Sequence, residues 1–390
     1  MAKAGDVIKK FGYKKKERIK TGILPLDIIL NNAFELGGCY AVASPPGGGK
    51  STLTLQICRM LCDAGRFVFY VDIEQGVKEE QIVGAGLDKY MEPIDGEEYP
   101  RFQITNQVYA YNDCQDVVRD IINMKKEGKC KFEVIITDSL SSLVSETVLE
   151  GKADAVTMAV DARPLSKVIK SIRGPLGVEG ITLFNIVQAA SNIGGGLYAA
   201  EWVAKVTKAI EHAVDALILL EHPQFNSYKI FGKKKTPSGE EDIEIGYWGK
   251  IYTTKGRSGL NRIKLNIPMI AGKGADNIMF LKRVLLDTGV FVKGTKYYKY
   301  NDANGNEQKI EGEAAFENFV KENYKMLVDM MYDLGYFDLT NDATLSQVAV
   351  VEPAEVGDGN VSEEELRNEQ EGTVILDNQQ EPDEDEPQFV

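Results

Sequence analysis

Between Cys39 and Cys62 the chain reads C-Y-A-V-A-S-P-P-G-G-G-K-S-T-L-T-L-Q-I-C-R-M-L-C, a stretch that narrows the possible folds more than any other. Cys39 to Ala43 spells a short buried strand, and Leu53, Leu55, Ile57 and Leu61 fit the buried side of a helix from Ser51 to Cys62. Between them, Ser44, Pro45, Pro46, Gly47, Gly48, Gly49, Lys50, Ser51 and Thr52 make a candidate phosphate cradle. Glycines let the backbone aim several N–H groups inward, and the helix start adds its partial positive charge. Lys50 supplies a mobile cation for β- and γ-phosphates, and the Ser51 hydroxyl suits a Mg²⁺ ligand. The pattern G-x-x-x-x-G-K-[ST] is met except that Ser44 stands at its first glycine. A plain glycine-rich strand-to-helix turn would need only the glycines. Strand, glycines, G-K-S and helix together favour nucleotide binding.

A chain of 390 residues with 43% hydrophobic content can bury one large α/β core and a smaller domain. Cys39, Cys58, Cys62, Cys114 and Cys130 include no C-x-x-C pair, and at least three fall in core-like stretches, which predicts reduced structural thiols. With His212 and His222 the two histidines of the chain, a zinc site is not expected. No apolar run reaches membrane-spanning length, and M-A-K-A-G-D lacks a signal peptide's apolar stretch, so a cytoplasmic protein without a membrane partner is expected. The net charge of −14 is uneven: from Val351 to Val390, 14 Asp and Glu face one Arg. That segment carries −13, which leaves about −1 for everything before it. Lys9 to Lys20, K-K-F-G-Y-K-K-K-E-R-I-K, is basic instead, and fits either a solvated arm or a phosphate-contacting one. Nucleic acid is therefore not excluded as a partner.

Downstream of the cradle, Arg66 to Asp72 is a continuous apolar run typical of a parallel strand covered on both faces. It leads into Ile73-Glu74-Gln75-Gly76, placing the Glu74 carboxylate at a strand end, where it can orient or deprotonate a water. Charged residues also follow strands without any catalytic role. Asn112 to Glu127 reads as a helix. Phe132 to Leu140, F-E-V-I-I-T-D-S-L, reads as a buried strand carrying Asp138 at its tip, suited to hold Mg²⁺ together with Ser51. This alternation predicts a mainly parallel sheet. Glu150 to Arg163 reads as a polar loop before a helix with Lys167, Lys170 and Arg173. Gly180 to Gln188 is a further strand, and Ala189 to Ala200, A-A-S-N-I-G-G-G-L-Y-A-A, is too glycine-rich for a stable element. Both loops leave the edge that carries the cradle, as ordinary surface loops and ligand-gripping ones both do.

Asp215 to Leu220, Tyr247 to Thr254 and Arg262 to Ile270 read as strands, the last two flanking K-G-R-S-G. Phe225 to Asp242 reads as an exposed hairpin. From about Leu281 a small α+β region is predicted, with a turn at Asn304-Gly305 and an amphipathic helix from about Ala314 to Tyr332. After Leu345 the apolar periodicity is lost, and a disordered tail is expected.

These segments resemble the RecA family of recombinases, particularly the shorter phage strand-exchange (UvsX-like) proteins, over roughly Ile19 to Leu334. T-G-I-L-P-L-D-I-I-L (Thr21 to Leu30) resembles the family's lead-in segment, G-K-S-T-L-T-L-Q its phosphate loop and helix, and D-I-E at Asp72 to Glu74 the segment with its catalytic glutamate. V-I-I-T-D-S-L-S-S-L resembles the metal-binding strand, E-G-K-A-D-A-V-T-M-A-V-D-A-R the first DNA-binding loop, and F-N-I-V-Q the strand whose glutamine senses the γ-phosphate. T-T-K-G-R resembles the cation pair that reaches a neighbouring subunit's ATP, and K-Y-Y-K-Y-N-D-A-N-G-N-E-Q-K-I with F-V-K-E-N resembles the C-terminal domain. Two stretches, Thr207 to Asp215 and K-G-R-S-G, resemble RadA, the branch-migration paralogue. Lys78 and Gln81 stand where RecA carries acidic and aromatic adenine contacts.

The resemblance implies an α/β fold: a RecA-type P-loop ATPase core with a mainly parallel sheet (21–280) after a short basic arm (1–20), then a small α+β C-terminal domain (281–345) and the acidic tail (346–390). It implies ATP and Mg²⁺ as cofactors, Glu74 as general base, Lys50, Gln188, Lys255 and Arg257 as further catalytic groups, and Ser51 and Asp138 as metal ligands. Met158, Arg163, Lys170, Asn192, Gly194, Gly195 and Gly196 become the implied DNA contacts. The implied function is a DNA-dependent ATPase that forms homo-oligomeric helical filaments on single-stranded DNA and exchanges strands with double-stranded DNA in recombination and repair. Single-strand-binding and mediator proteins are implied partners. A ring-forming RadA-like motor and a non-catalytic recombination accessory protein are the alternatives.

Overall fold

Continuous apolar runs need cover on both faces, and this chain supplies it by alternating strands with helices. The computed structural model describes residues 15–94, 96–144, 157–191, 202–206, 208–222, 226–236, 239–256, 264–302 and 304–337. The basic arm up to residue 14 and the acidic tail lie outside them. Strand β1 (Arg18–Ile19) pairs antiparallel with β2 (Phe34–Glu35), with helix α1 (Leu24–Ile29) between. There follow β3 (Cys39–Ser44), α2 (Lys50–Asp63), β4 (Val68–Asp72), α3 (Glu79–Gly84), β5 (Phe102–Thr105), α4 (Tyr111–Lys126) and β6 (Val134–Asp138). Next come α5 (Thr157–Glu179), β7 (Thr182–Ser191), β8 (Trp202–Ala204), α6 (Lys208–Ala213) and β9 (Ala216–Glu221).

The strands β9-β3-β7-β6-β4-β5 run parallel in that order. β10 (Lys229–Thr236) and β11 (Gly239–Gly256) form a hairpin, and β11, β12 (Lys264–Ile270) and β13 (Gly274–Ala275) extend the sheet antiparallel from β9. The C-terminal region holds α7 (Asn277–Asp287), a small antiparallel sheet of β14 (Val292–Lys293), β15 (Tyr297–Asn301) and β16 (Glu307–Glu311), then α8 (Glu313–Glu322) and α9 (Tyr324–Asp333). This is the expected α/β class with a large, mostly parallel sheet, and it is consistent with a RecA-type core.

The pleat of β6 sorts the core: Val134 and Ile136 join one apolar cluster with Leu53, Ile57 and Phe184, while Ile135 joins a second with Val118, Ile169 and Leu183. The first cluster continues without a break into Leu281, Leu285, Phe291, Phe316 and Met331. The expected boundary near 281 falls within α7. All five cysteines are free and buried. Among the described residues no helix is long and apolar enough to cross a membrane.

Four expectations change. The single helix expected from Ala314 to Tyr332 is two, broken at Asn323, whose φ is −104° and whose side chain donates to the Phe319 carbonyl at 2.9 Å. Thr157 to Arg163, read as loop, belongs to the backbone of α5, and 145–156 lie outside the described residues. Ala189 to Ser191 extend β7, because β8 offers them an antiparallel partner. Tyr247 to Thr254 is part of the 18-residue β11, which also forms one arm of the hairpin.

Candidate active site

The loop between β3 and α2 is shaped from within. Gly47 and Gly49 sit at φ 73° and 72°, in the left-handed region that favours glycine. At Gly48, an added Cβ would lie 2.1 Å from Ser44 Oγ. Ser44, where the common pattern has glycine, is buried and its hydroxyl lies 3.2 Å from the Pro45 carbonyl and 3.0 Å from that of Gly48. Its side chain thus staples the loop. Gly49 precedes α2 without any side-chain cap, which leaves the first-turn N–H groups of a 14-residue helix available to an anion. Lys50, Ser51 and Thr52 form that first turn.

Parallel pairing brings the acidic tips together. Asp72 is in register with Asp138, and Ser44 with Gln188. The Asp138 carbonyl accepts from the N–H groups of Ile73 and Glu74 at 2.7 and 3.0 Å, which ties the segment carrying Glu74 to the end of β6. Asp72 bends that segment by accepting from Gly76 N–H at 3.2 Å and Val77 N–H at 3.0 Å.

The two carboxylates are tuned in opposite directions. Burial raises Asp138 above the usual carboxylate range, although hydrogen bonds from Tyr70 and Ser51 oppose it. Burial also acts on Glu74, but there the hydroxyls of Ser139 and Ser142, the Lys50 charge and Gln188 prevail and hold it below that range. Glu74 Oε1 accepts from Ser139 Oγ at 2.7 Å, Ser142 Oγ at 2.9 Å and Gln188 Nε2 at 3.4 Å. Asp138 Oδ2 accepts from Ser51 Oγ at 2.9 Å and Tyr70 OH at 2.8 Å, while Oδ1 is buried without a partner.

A buried, orphaned carboxylate oxygen on Asp138, close to the Ser51 hydroxyl in the first turn of α2, fits a divalent cation. Oxygen donors of this kind suit Mg²⁺, which keeps several waters and takes phosphate oxygens as further ligands. Beside Thr52 opens a cavity of about 400 Å³ lined by Gln56, Arg59, Glu80, Gln81, Gly272 and Lys273 among others, of a size to admit a nucleobase. Gln81 is partly committed, since its Oε1 accepts the Lys78 N–H at 2.9 Å at the start of α3.

The sequence-predicted residues divide into groups. Ser44 to Thr52, Glu74, Asp138 and Gln188 converge on one end of the sheet. Lys255 sits apart, donating to the Glu211 carbonyl, and Arg257 lies outside the described residues. Met158 and Arg163 fall on the backbone of α5, with their side chains outside the described set, as are Asn192, Gly194, Gly195 and Gly196 altogether. Lys170 is exposed further along α5. Sequence reading overlooked Tyr70, Ser139 and Ser142. The serines after Asp138 in D-S-L-S-S were the available signal, but only parallel register aims them at Glu74.

No family model matches the chain. Among curated proteins it is similar to Protein RecA of Synechococcus elongatus, 23% identical over 288 residues, which cover 74% of this chain and 73% of that one. It is also similar to Protein RecA of Trichodesmium erythraeum, 21% identical over 353 residues, covering 90% and 89%, and to that of Arthrospira platensis, 22% identical over 290 residues, covering 74% and 72%. Weak in identity but extended along most of the chain, and joined to a large, mostly parallel sheet, this homology supports the RecA family.

Proposed function

We propose that this protein is a DNA-dependent ATPase that assembles as a helical filament on single-stranded DNA and exchanges strands in recombination and repair. The observation that carries the reading is Gln188, which neighbours the phosphate-loop strand on one side and reaches Glu74 on the other. A side chain so placed can sense a γ-phosphate and pass its presence to the segment that follows β7.

In this reading the loop N–H groups and Lys50 cradle the triphosphate, and Ser51 and Asp138 hold Mg²⁺. The bound cation neutralises charge on the β- and γ-phosphates. Glu74, kept ionised by Ser139 and Ser142, orients and deprotonates the attacking water. The cavity beside Thr52 takes the base. Lys255 and Arg257 serve as cations for the nucleotide of an adjacent subunit, which makes hydrolysis depend on assembly. Met158, Arg163 and the glycines at 194–196 contact DNA backbone.

The test is ATP hydrolysis with and without single-stranded DNA, alongside electron microscopy of the same samples. Stimulated turnover, lost in Lys50→Ala and Lys255→Ala, together with open helical filaments, supports the proposal. Closed rings would replace it with a branch-migration motor. Absence of any DNA stimulation would sink the recombinase reading.

A further inference from the structure

The end of the sheet opposite the phosphate loop carries a cavity of about 1390 Å³, bordered by the segments before β3, β6 and β7. The six residues of β3 separate it from Ser44, about 20 Å at the rise of a strand, so its occupant is not the one held by the phosphate loop. Six cations line it, Lys15, Lys16, Lys125, Lys170, Arg173 and Lys208, against three carboxylates, Glu17, Glu133 and Glu179. Those carboxylates are already engaged from outside the lining: Arg66 holds Glu17 at 2.5 Å and Glu133 at 2.9 Å, and Lys126 lies 3.9 Å from Glu179. Arg173 pairs with Asp215 at 2.8 Å. Lys15, Lys170 and Lys208 are exposed and have no carboxylate partner among the described residues.

Four glycines, Gly37, Gly174, Gly177 and Gly180, leave part of the wall between them as backbone. Gly37 and Gly177 touch so closely that a Cβ on Gly37 would lie 2.8 Å from the Gly177 carbonyl, whereas a Cβ on Gly174 or Gly180 would meet nothing within 4 Å. An open, cationic groove with no Phe, Tyr or Trp in its lining, and His212 as its one ring, offers little for successive bases to stack on and favours phosphate over base contacts. Lysine is a point-charge partner for phosphate. We propose that this groove is a second anion site, which takes consecutive phosphate groups on Lys15, Lys170 and Lys208, supplied either by the backbone of duplex DNA or by a free oligophosphate.

The experiment compares full-length Lys50→Ala with a variant that adds Lys15→Glu, Lys170→Glu and Lys208→Glu, so that the phosphate loop masks nothing. A second variant uses Gln at the three positions, in case charge reversal disturbs folding, and thermal melts check both. Calorimetry measures inorganic tripolyphosphate, and fluorescence anisotropy measures duplex DNA across a salt series. Each lost phosphate contact lowers the slope of log K against log salt by about 0.9, so the DNA arm predicts a fall of up to about 3. A reduced slope assigns the DNA backbone, and loss of tripolyphosphate binding with an unchanged slope assigns the free oligophosphate. Both properties unchanged, or equally tight binding of polyglutamate, would overturn the site.

Discussion

Asp138 uses its two oxygens differently, and Glu74 gathers three donors on one. Ser139 and Ser142 stabilise the ionised form of Glu74, so its pKa is held below the usual carboxylate range and it stays ionised to lower pH. Replacing both serines with alanine raises the Glu74 pKa. The acid limb of the turnover profile is expected to move to higher pH, with nucleotide affinity little changed; an unmoved limb would exclude these hydroxyls as tuners. Glu74→Gln is expected to lower turnover by about 10²- to 10⁴-fold, the usual worth of a general base, while equilibrium nucleotide binding persists. A different residue-scale outcome concerns Tyr247, whose buried hydroxyl has no partner and whose ring packs edge-on to His222 with centroids 4.0 Å apart. An unsatisfied buried hydroxyl costs on the order of 1 kcal/mol or more. Tyr247→Phe keeps the ring and removes that cost, so chemical denaturation should show a variant more stable than the parent by about that amount.

Helix α1 shows how much of an element lies in its own residues. Its six residues are all buried, Asp27 among them, and the Asp27 carboxylate accepts from Thr21 N–H and Thr21 Oγ at 2.7 Å and Gly22 N–H at 3.2 Å. Burial outweighs these hydrogen bonds and raises Asp27 to about 6. The folded state therefore holds this proton better than the unfolded chain does. Its contribution is full below the ordinary value of 3.8 and is lost as pH rises to about 6. The stability difference between the parent and Asp27→Asn should shrink by about 3 kcal/mol across that window and stay flat above it, a shift of one pKa unit being about 1.4 kcal/mol. Urea titrations at several pH values check this, and a constant difference would refute it. Elements decided by local pattern were legible in sequence: β3 with α2, and β6, follow from apolar runs and one motif. Elements decided by remote partners were not. β8 recruits Ala189 to Ser191 into β7 from across an intervening segment. The site followed the same division. Lys50, Ser51 and Asp138 announce themselves by spacing, whereas Tyr70, Ser139 and Ser142 matter through the register of β4 against β6.

At the scale of the whole molecule, formal charge is distributed very unevenly along the chain. The chain carries −14, of which −13 lies in Val351 to Val390. A polyanion such as DNA approaches the remaining residues against the field of that segment, although those residues sum to about −1 and include the lysine-lined groove. The repulsion acts through solvent and so is bounded by the screening length, about 10 Å at 0.1 M salt and about 3 Å at 1 M. Truncation after Leu345 removes the acidic segment and leaves every described residue in place. Binding of single-stranded DNA, followed by anisotropy, should then tighten by about tenfold at low salt, lose much of its dependence on Mg²⁺, and converge with the full-length protein as salt rises. The convergence is the discriminating part. A tail that acted by occluding one specific surface would still weaken binding at high salt through its contacts, whereas one that acts by net charge loses its effect with the Debye length. Equal affinity of the two proteins at every salt concentration would rule out both.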